Sequence, residues 1–249
     1  MRKIVLATYH ILLTCAVVFA GEHNLITRPP LIVGFNVLYG GYKIGEVDFT
    51  QSGPYQYLNQ TVTELECRVE SDAIIEHKGF YRSIVTEDYA VLYLKADVTT
   101  AGKTRIDEYN FDYASEKIHL QSDFPGEGKS TRCSIDFSDK DRRYFDMVSL
   151  IFRLRDGLDT LTAPFYIPVF VYSRLDSIFI ESIIDEPVTG QDGMTVAAKH
   201  IRARIPFATF PGIGDRFEIF ISDDDNRVPL KAAVQMAVGK IEILPRPRE

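Results

Sequence analysis

Apolar and polar side chains alternate with a period of two through most of this chain, the pattern of strands that bury one face. From Ala90 to Val98, the residues Ala90, Leu92, Leu94, Ala96 and Val98 share one face, and Val91, Tyr93, Lys95 and Asp97 share the other. Thr99 to Lys103 reads as a turn, and Thr104 to Tyr113 runs back with Tyr109, Phe111 and Tyr113 on one face. Ala114-Ser115-Glu116 turns again into Lys117 to Gln121. The second half repeats this style. Ile201, Ala203 and Ile205 oppose His200, Arg202 and Arg204, and Phe217, Ile219 and Ile221 alternate with Glu218, Phe220 and Ser222. With 249 residues, 45% of them hydrophobic, the chain can build a sizeable core. The expected fold is all-β: an antiparallel curved sheet or barrel-like meander forming a single domain over residues 31–244, with 245–249 as a frayed tail. Alternation alone predicts Leu92, Leu94, Ile201, Ala203, Ile205, Ile219, Val228 and Leu230 buried, and Lys95, Arg202, Arg204 and Lys231 exposed.

One segment breaks the period. In Asp146 to Gly157, Met147, Leu150, Ile151 and Leu154 fall at i, i+3, i+4 and i+7. Asp146 suits an N-cap, Arg153 and Arg155 suit the last turn, and Gly157 can end the helix. A single short helix over about 146–156 is expected, plugging one open end or covering one edge of the sheet.

The N-terminus reads as a targeting signal. Arg2 and Lys3 precede an uncharged, mostly apolar run from Ile4 to Ala20, and Val18-Phe19-Ala20 fits cleavage before Gly21. An uncleaved anchor and lipidation at Cys15 are the alternatives. Residues 21–30 then form a linker. No later segment is apolar and long enough for a transmembrane helix, so the expected location is the periplasm or outside the cell. The chain has 28 basic and 35 acidic residues, a net charge of −7. Cleavage would remove Arg2 and Lys3 but no acid, leaving −9. Such a balance argues against a nucleic-acid partner. Cys67 and Cys133 would remain; an oxidising compartment permits a bridge between them, worth roughly 4 kcal/mol by loop entropy, and two separate thiols are the other reading.

No chemical motif is legible. His23, His77, His119 and His200 show neither HxH nor HExxH spacing, and no GxSxG elbow exists. Gly126-Glu127-Gly128-Lys129 and Gly212-Ile213-Gly214 lack the spacing of a phosphate loop and read as turns. Asp223-Asp224-Asp225-Asn226 lacks the alternation of a calcium loop; it reads as a hairpin turn between 217–222 and 227–234, with an exposed Asp–Arg227 pair. Pro229 should sit at a strand start, a bulge or an edge. No catalytic, metal or cofactor residue can be named.

The order of pieces is similar to a known family. Tyr39-Gly40-Gly41, Lys43-Ile44-Gly45-Glu46, the Asp146 helix with Leu154-Arg155, and the terminal block Ile219-Phe220-Ile221-Ser222-Asp223-Asp224 with Arg227-Val228-Pro229-Leu230 resemble the bacterial exported family called domain of unknown function 3108. The resemblance covers about 31–244; Phe220 stands where the family usually has Trp. It implies a β-rich, barrel-like envelope protein and assigns no activity.

Aromatic residues are the remaining signal. Tyr39, Tyr42, Phe49, Tyr55, Tyr57, Phe80, Tyr81, Tyr89, Tyr93, Tyr109, Phe111, Tyr113, Phe165, Tyr166, Phe170 and Tyr172 spread over many strands. They either fill a β core or line a trough for a lipid-like or other amphiphilic ligand. Three readings stay open: a non-enzymatic binding or envelope-assembly protein, a structural or protein-interaction module of the envelope, and an enzyme without a recognisable motif. An apolar cavity of at least about 300 Å³ favours the first, an exposed apolar strip the second, and converging shifted titratable groups in a cleft the third.

Overall fold

A computed structural model describes residues 31–246, apart from 72–75, 138–141, 172, 190–192, 206–212 and 237, and of 213 and 214 it describes the backbone only. The signal and linker predictions fall outside the described residues. The first half is an antiparallel meander of eight strands: β1 (Ile32–Tyr39), β2 (Tyr42–Tyr57), β3 (Gln60–Ser71), β4 (His77–Val85), β5 (Val91–Thr100), β6 (Lys103–Asp112), β7 (Lys117–Phe124) and β8 (Lys129–Asp136). Helix α1 (Met147–Gly157) follows. The second half holds β9 (Phe165–Val171), β10 (Arg174–Asp185), the two-residue strands β11 (Val188–Thr189) and β12 (Thr195–Val196), then β13 (Ala198–Arg204), β14 (Ile213–Ser222), β15 (Pro229–Met236) and β16 (Lys240–Pro245).

Fourteen of these strands form one sheet in the order β8-β7-β6-β5-β4-β3-β2-β1-β16-β15-β14-β13-β10-β9, while β11 pairs with β12 separately. The halves are joined where β1 lies against β16, from Phe35 opposite Pro245 to Tyr39 opposite Ile241. The expected frayed tail is corrected at its first two residues, since Pro245 ends a central strand and Arg246 is bonded to β1, while 247–249 lie outside the described residues. Arg246 donates its backbone N–H to Gly34 and its guanidinium to Glu46, at 2.9 Å, and to Asp48. Its side chain crosses directly over Gly34, where a Cβ would fall 2.1 Å from Nη2.

The sheet curls until its first-half inner face meets β9: Tyr109 and Phe111 pack edge-on against Phe170 with ring centroids 5.0 and 5.2 Å apart. Helix α1 lies in this concavity and all eleven of its residues are buried. This corrects the expected plug or edge cover. Val148 and Phe152, off the predicted face, are apolar too, so the helix is wettable only near its C-terminal turn; a helix apolar almost all round belongs in an interior. Phe152 packs against Phe49 and Tyr89, both with ring centroids 6.5 Å away.

The alternation survives where the ladder is regular. Ile201, Ala203, Ile205 and Ile219 are buried, and Arg202 and Arg204 are exposed. It fails in β5. The register slips between Ile84 and Val85, so Val91 opposes Val85 and faces the core, while Leu92 turns partly outward. A bulge of this kind moves the following residues to the opposite face. Leu94, Val228 and Leu230 are only half-buried, as are Lys95 and Lys231. Cys67 is buried in β3 and Cys133 exposed in β8, both as free thiols, with four strands between theirs.

Phe152→Ala should lower unfolding free energy by about 3–5 kcal/mol, the range for truncating a buried aromatic. Ile32→Ala, at a side chain 79% exposed, should stay within about 0.5 kcal/mol. Urea titrations of both variants test whether the helix is the centre of the core.

Candidate functional site

The inner face of β5 and β6 changes character along its length. Cross-strand pairs share a face, and here they run Leu94 with Tyr109, Ala96 with Asp107, and Val98 with Arg105. Toward the β5–β6 turn, the concave surface thus becomes charged. Opposite it stand Met147 and Val148 of α1 and Phe170 of β9, leaving a cavity of about 220 Å³ between them. Tyr81 forms part of the floor. Its ring leans over Gly79, where a Cβ would come within 2.7 Å of it, so that glycine is what lets the ring lie down.

The cavity has an apolar wall and a polar rim. On the rim, Arg105 Nε donates to Asp107 at 2.8 Å, and the Tyr109 hydroxyl lies 2.8 Å from Ser173 Oγ. Burial pushes Tyr109 up to about 12, so it keeps its proton and can donate. At the helix end, Asp146 accepts from Val148 N at 2.7 Å and Ser149 N at 2.8 Å, while Ser149 Oγ accepts from Asp146 N at 3.0 Å. Ser83 donates to the second carboxylate oxygen. Burial pushes Asp146 upward against these bonds. Cys67 is also pushed up, first by burial and then by the Asp146 charge, which keeps the thiol protonated. Asp146 is the one shifted carboxyl on the cavity wall, and both its oxygens are engaged, one by the helix cap and the other by Ser83.

A second polar cluster lies at the other end of α1. The Tyr89 hydroxyl donates to Asp156 at 2.5 Å and accepts from Gln51 Nε2 at 3.3 Å. Arg155 donates to Gln51 Oε1 at 3.3 Å and to the Asn226 carbonyl at 3.2 Å, and lies 3.4 Å from Asp156. Arg227 donates to Asp223 and to Asp159. These contacts fasten the helix to β2, to the loop before β5 and to the β14–β15 turn.

That turn is the predicted hairpin: β14 and β15 are antiparallel neighbours, and Pro229 opens β15 opposite Ile221, beside a bulge. Asp224 Oδ1 accepts from Ser222 Oγ at 2.9 Å, Asn226 N at 2.9 Å and Arg227 N at 3.0 Å, the Asx-turn chemistry expected of this sequence. The predicted exposed Asp–Arg pair is corrected. Arg227 is buried, and its guanidinium bridges Asp223 to Asp159 beyond the helix.

Among the aromatic residues singled out from sequence, Tyr81, Tyr109 and Phe170 line the cavity. Phe49, Tyr89, Phe111 and Tyr113 belong to the filled core, and Tyr42 and Tyr166 are exposed. Tyr172 lies outside the described residues. Arg105, Asp107 and Ser173 were not anticipated; for Arg105 and Asp107 the signal was their place on the apolar face of β6, which marks a polar inner surface, while Ser173 lies in the turn between β9 and β10. His77 lies 2.8 Å from Thr100 Oγ1, His119 3.2 Å from Ser134 Oγ and His200 2.6 Å from Glu186. No group of three His, Cys, Asp or Glu that could hold a metal occurs among the described residues. Gly126 to Lys129 forms a short 3-10 turn into β8, and Gly212 lies outside the described residues.

The order of these parts matches a known family model, described as protein of unknown function (DUF3108), over residues 35–244. The chain belongs to this family. No curated protein matches it in sequence. Among solved structures it is similar to a β-barrel-like protein of domain of unknown function DUF1849 from Brucella abortus, with a TM-score of 0.55 and 9% identity over 89% of this chain and 97% of that one. At that identity the likeness concerns the fold. DUF3108 membership and the barrel-like neighbour agree with the curled sheet, and the activity stays open. No helix among the described residues is long and apolar enough to cross a membrane.

The charge at the Arg227 clasp predicts a pH dependence. Its hydrogen bond from Arg227 holds Asp223 below the usual carboxylate range. A depressed carboxylate contributes stability above its unfolded pKa, near 4, and loses it as pH falls through the lower folded value. Arg227→Ala should therefore cost about 1–2 kcal/mol near neutrality. The gap to wild type should close in acid, once Asp223 is protonated in both. Urea titrations at neutral and acid pH measure it.

Proposed function

We propose that this DUF3108 protein is an exported envelope protein that holds the apolar end of a lipid-like amphiphile inside its curled sheet. The observation that carries this reading is the two-sided cavity at the helix N-terminus. Leu94, Val98, Met147, Val148 and Phe170 supply an apolar wall, and Arg105, Asp107, Tyr109 and Ser173 supply a polar rim. Pockets for small molecules have this composition. At about 220 Å³ the cavity falls short of the 300 Å³ typical of drug-sized ligands, so it suits the tip of a chain, with the head group outside at Arg105. The reading of residues 1–20 as a targeting signal supports export.

Two measurements test the two parts. Intact-mass analysis of protein recovered from the periplasm of a bacterial host should give a chain beginning at Gly21; retention of Met1 to Ala20 would remove the export reading. Native mass spectrometry with fatty acids of increasing chain length should show a one-to-one complex. Ala96→Phe, which fills the cavity from its wall, should weaken that complex by at least about tenfold, or 1.4 kcal/mol, with no loss of thermal stability. A wild-type chain that carries no fatty acid, or an A96F variant that binds equally well, would refute the ligand reading.

A further inference from the structure

The two edges of the fourteen-stranded sheet are treated differently. At one end, β9 is covered: Phe145 forms a parallel bridge to Val169, Phe170 N donates to Phe145 O at 2.9 Å, and Pro168 has no N–H to offer. At the other end, β8 is protected only by the charges of Lys129, Arg132 and Asp136. It is eight residues long, has no proline, pairs with β7 without a bulge, and is exposed at every position except the half-buried Ile135. Among the described residues no segment pairs with its outer edge. A regular edge of this kind is a template for another strand.

The direction of its backbone groups can be worked out. Phe137 N donates to Glu116 O at 3.0 Å, continuing the β7–β8 register in which Asp136 opposes Lys117. Hydrogen-bonded pairs alternate along an antiparallel ladder. Residues 133 and 135 therefore point their N–H and C=O groups at β7, and Arg132, Ser134 and Asp136 point theirs away. These outward groups repeat at every second residue, which is what an added antiparallel strand requires.

The side chains then select the partner. In a pairing of β8 with its own copy about a twofold axis through Ser134, Arg132 is directly opposite Asp136 of the second copy, and the reverse pair forms on the other side of the axis. Cys133 falls opposite Ile135 of the second copy on the other face. Shifting the axis to residue 132 would bring the two copies of Arg132 together, and shifting it to residue 133 would leave Asp136 opposite Ser130. Only the Ser134 register pairs charge with charge and apolar with apolar. We propose that β8 is a dimerisation strand, joining two copies of this chain edge to edge with Ser134 at the twofold axis. Outward pairs at 132, 134 and 136 supply six backbone hydrogen bonds. Because the β9 edge is covered, association stops at two, as an isologous contact does.

Charge reversal tests the register. Arg132→Asp and Asp136→Arg each set like charges opposite one another at two places and should weaken the dimer by about tenfold or more. The double variant R132D/D136R should restore it, and mixing the two single variants should give a heterodimer with both pairs satisfied. Both side chains are exposed; within the chain Asp136 pairs with Lys117 at 2.7 Å and Arg132 donates to Gln121 at 3.1 Å, exposed contacts worth about 0–1 kcal/mol, so the fold is retained, which circular dichroism verifies. Sedimentation velocity over a concentration series reads the outcome. In a chain with Cys15 and Cys133 replaced by serine, Ser134→Cys should give an oxidised dimer, because hydrogen-bonded partners lie about 5.5 Å apart at Cα, inside the disulfide range. Ser130→Cys should not. A wild-type chain that is monomeric at every concentration, a dimer indifferent to both reversals, or association continuing beyond two would overturn the proposal. Monomers that bind an extended peptide along β8 would show that the edge serves a different partner.

Discussion

Helix α1 carries Arg153, Arg155 and Asp156 into the interior, and the arrangement around its C-terminal end follows from the need to satisfy them. A buried charge without partners costs far more than a helix of this length can contribute. At Arg155 and Asp156 the protein meets the cost with groups from well-separated parts of the chain: Gln51 of β2, Tyr89 before β5, and the Asn226 carbonyl of the β14–β15 turn. Tyr89 adopts a left-handed φ of 68° to reach Asp156. For a bulky side chain that conformation costs about 1–3 kcal/mol, sustained only where surrounding contacts impose it. Arg227 extends the same network outward, from the helix end through Asp159 to the turn at Asp223. The turn that looks most like a separate functional motif in the sequence is thus part of the clasp that holds the helix.

With that end fastened, the sheet can be understood as two half-sheets wrapped around one rod. Each is a run of sequential strands, which needs only short connections and local pairing. The non-local joint is β1 against β16, reinforced by Arg246 lying over Gly34. Closure on the far side uses side chains instead of a ladder: the rings of Tyr109 and Phe111 against Phe170, and the hydrogen bond between Tyr109 and Ser173. A seam of side chains tolerates gaps that a ladder does not, and the cavity lies along it.

The sequence makes the architecture legible because alternation and helical period are local patterns, visible in β13, β14 and α1 without knowledge of the rest. It conceals whatever depends on two distant segments meeting. Leu92 turns outward because a bulge shifts the register against Ile84, and a bulge leaves no trace in the alternation itself. Arg227 reads as a surface charge beside three acids, since nothing near it reveals Asp159 across the fold. The wholly buried helix was half legible: Val148 and Phe152 fill its second face, but Arg153 and Arg155 in its last turn gave no sign of the partners that let them be buried. The cavity is the least legible part, with only Arg105 and Asp107, out of place on an otherwise apolar face, to mark it.

The two ends of α1 also decide what kind of molecule the cavity can accept. A helix N-terminus ordinarily offers free amides and a positive dipole, and so invites an anion. Here Asp146 takes the amides of Val148 and Ser149, and Ser149 returns a bond to Asp146. With those two amides satisfied from within, the side chains the helix presents to the cavity are Met147 and Val148. Arg105 is likewise matched by Asp107. An anionic group placed deep in the cavity would find the Val148 and Ser149 amides already taken and would lie near the Asp146 carboxyl. An apolar chain loses nothing there, and a hydroxyl or zwitterionic head at the rim can exchange bonds with Tyr109, Ser173 and the Arg105–Asp107 pair. The helix cap therefore does two things at once: it allows a polar helix end to be buried, and it turns what would be an anion site into an apolar one.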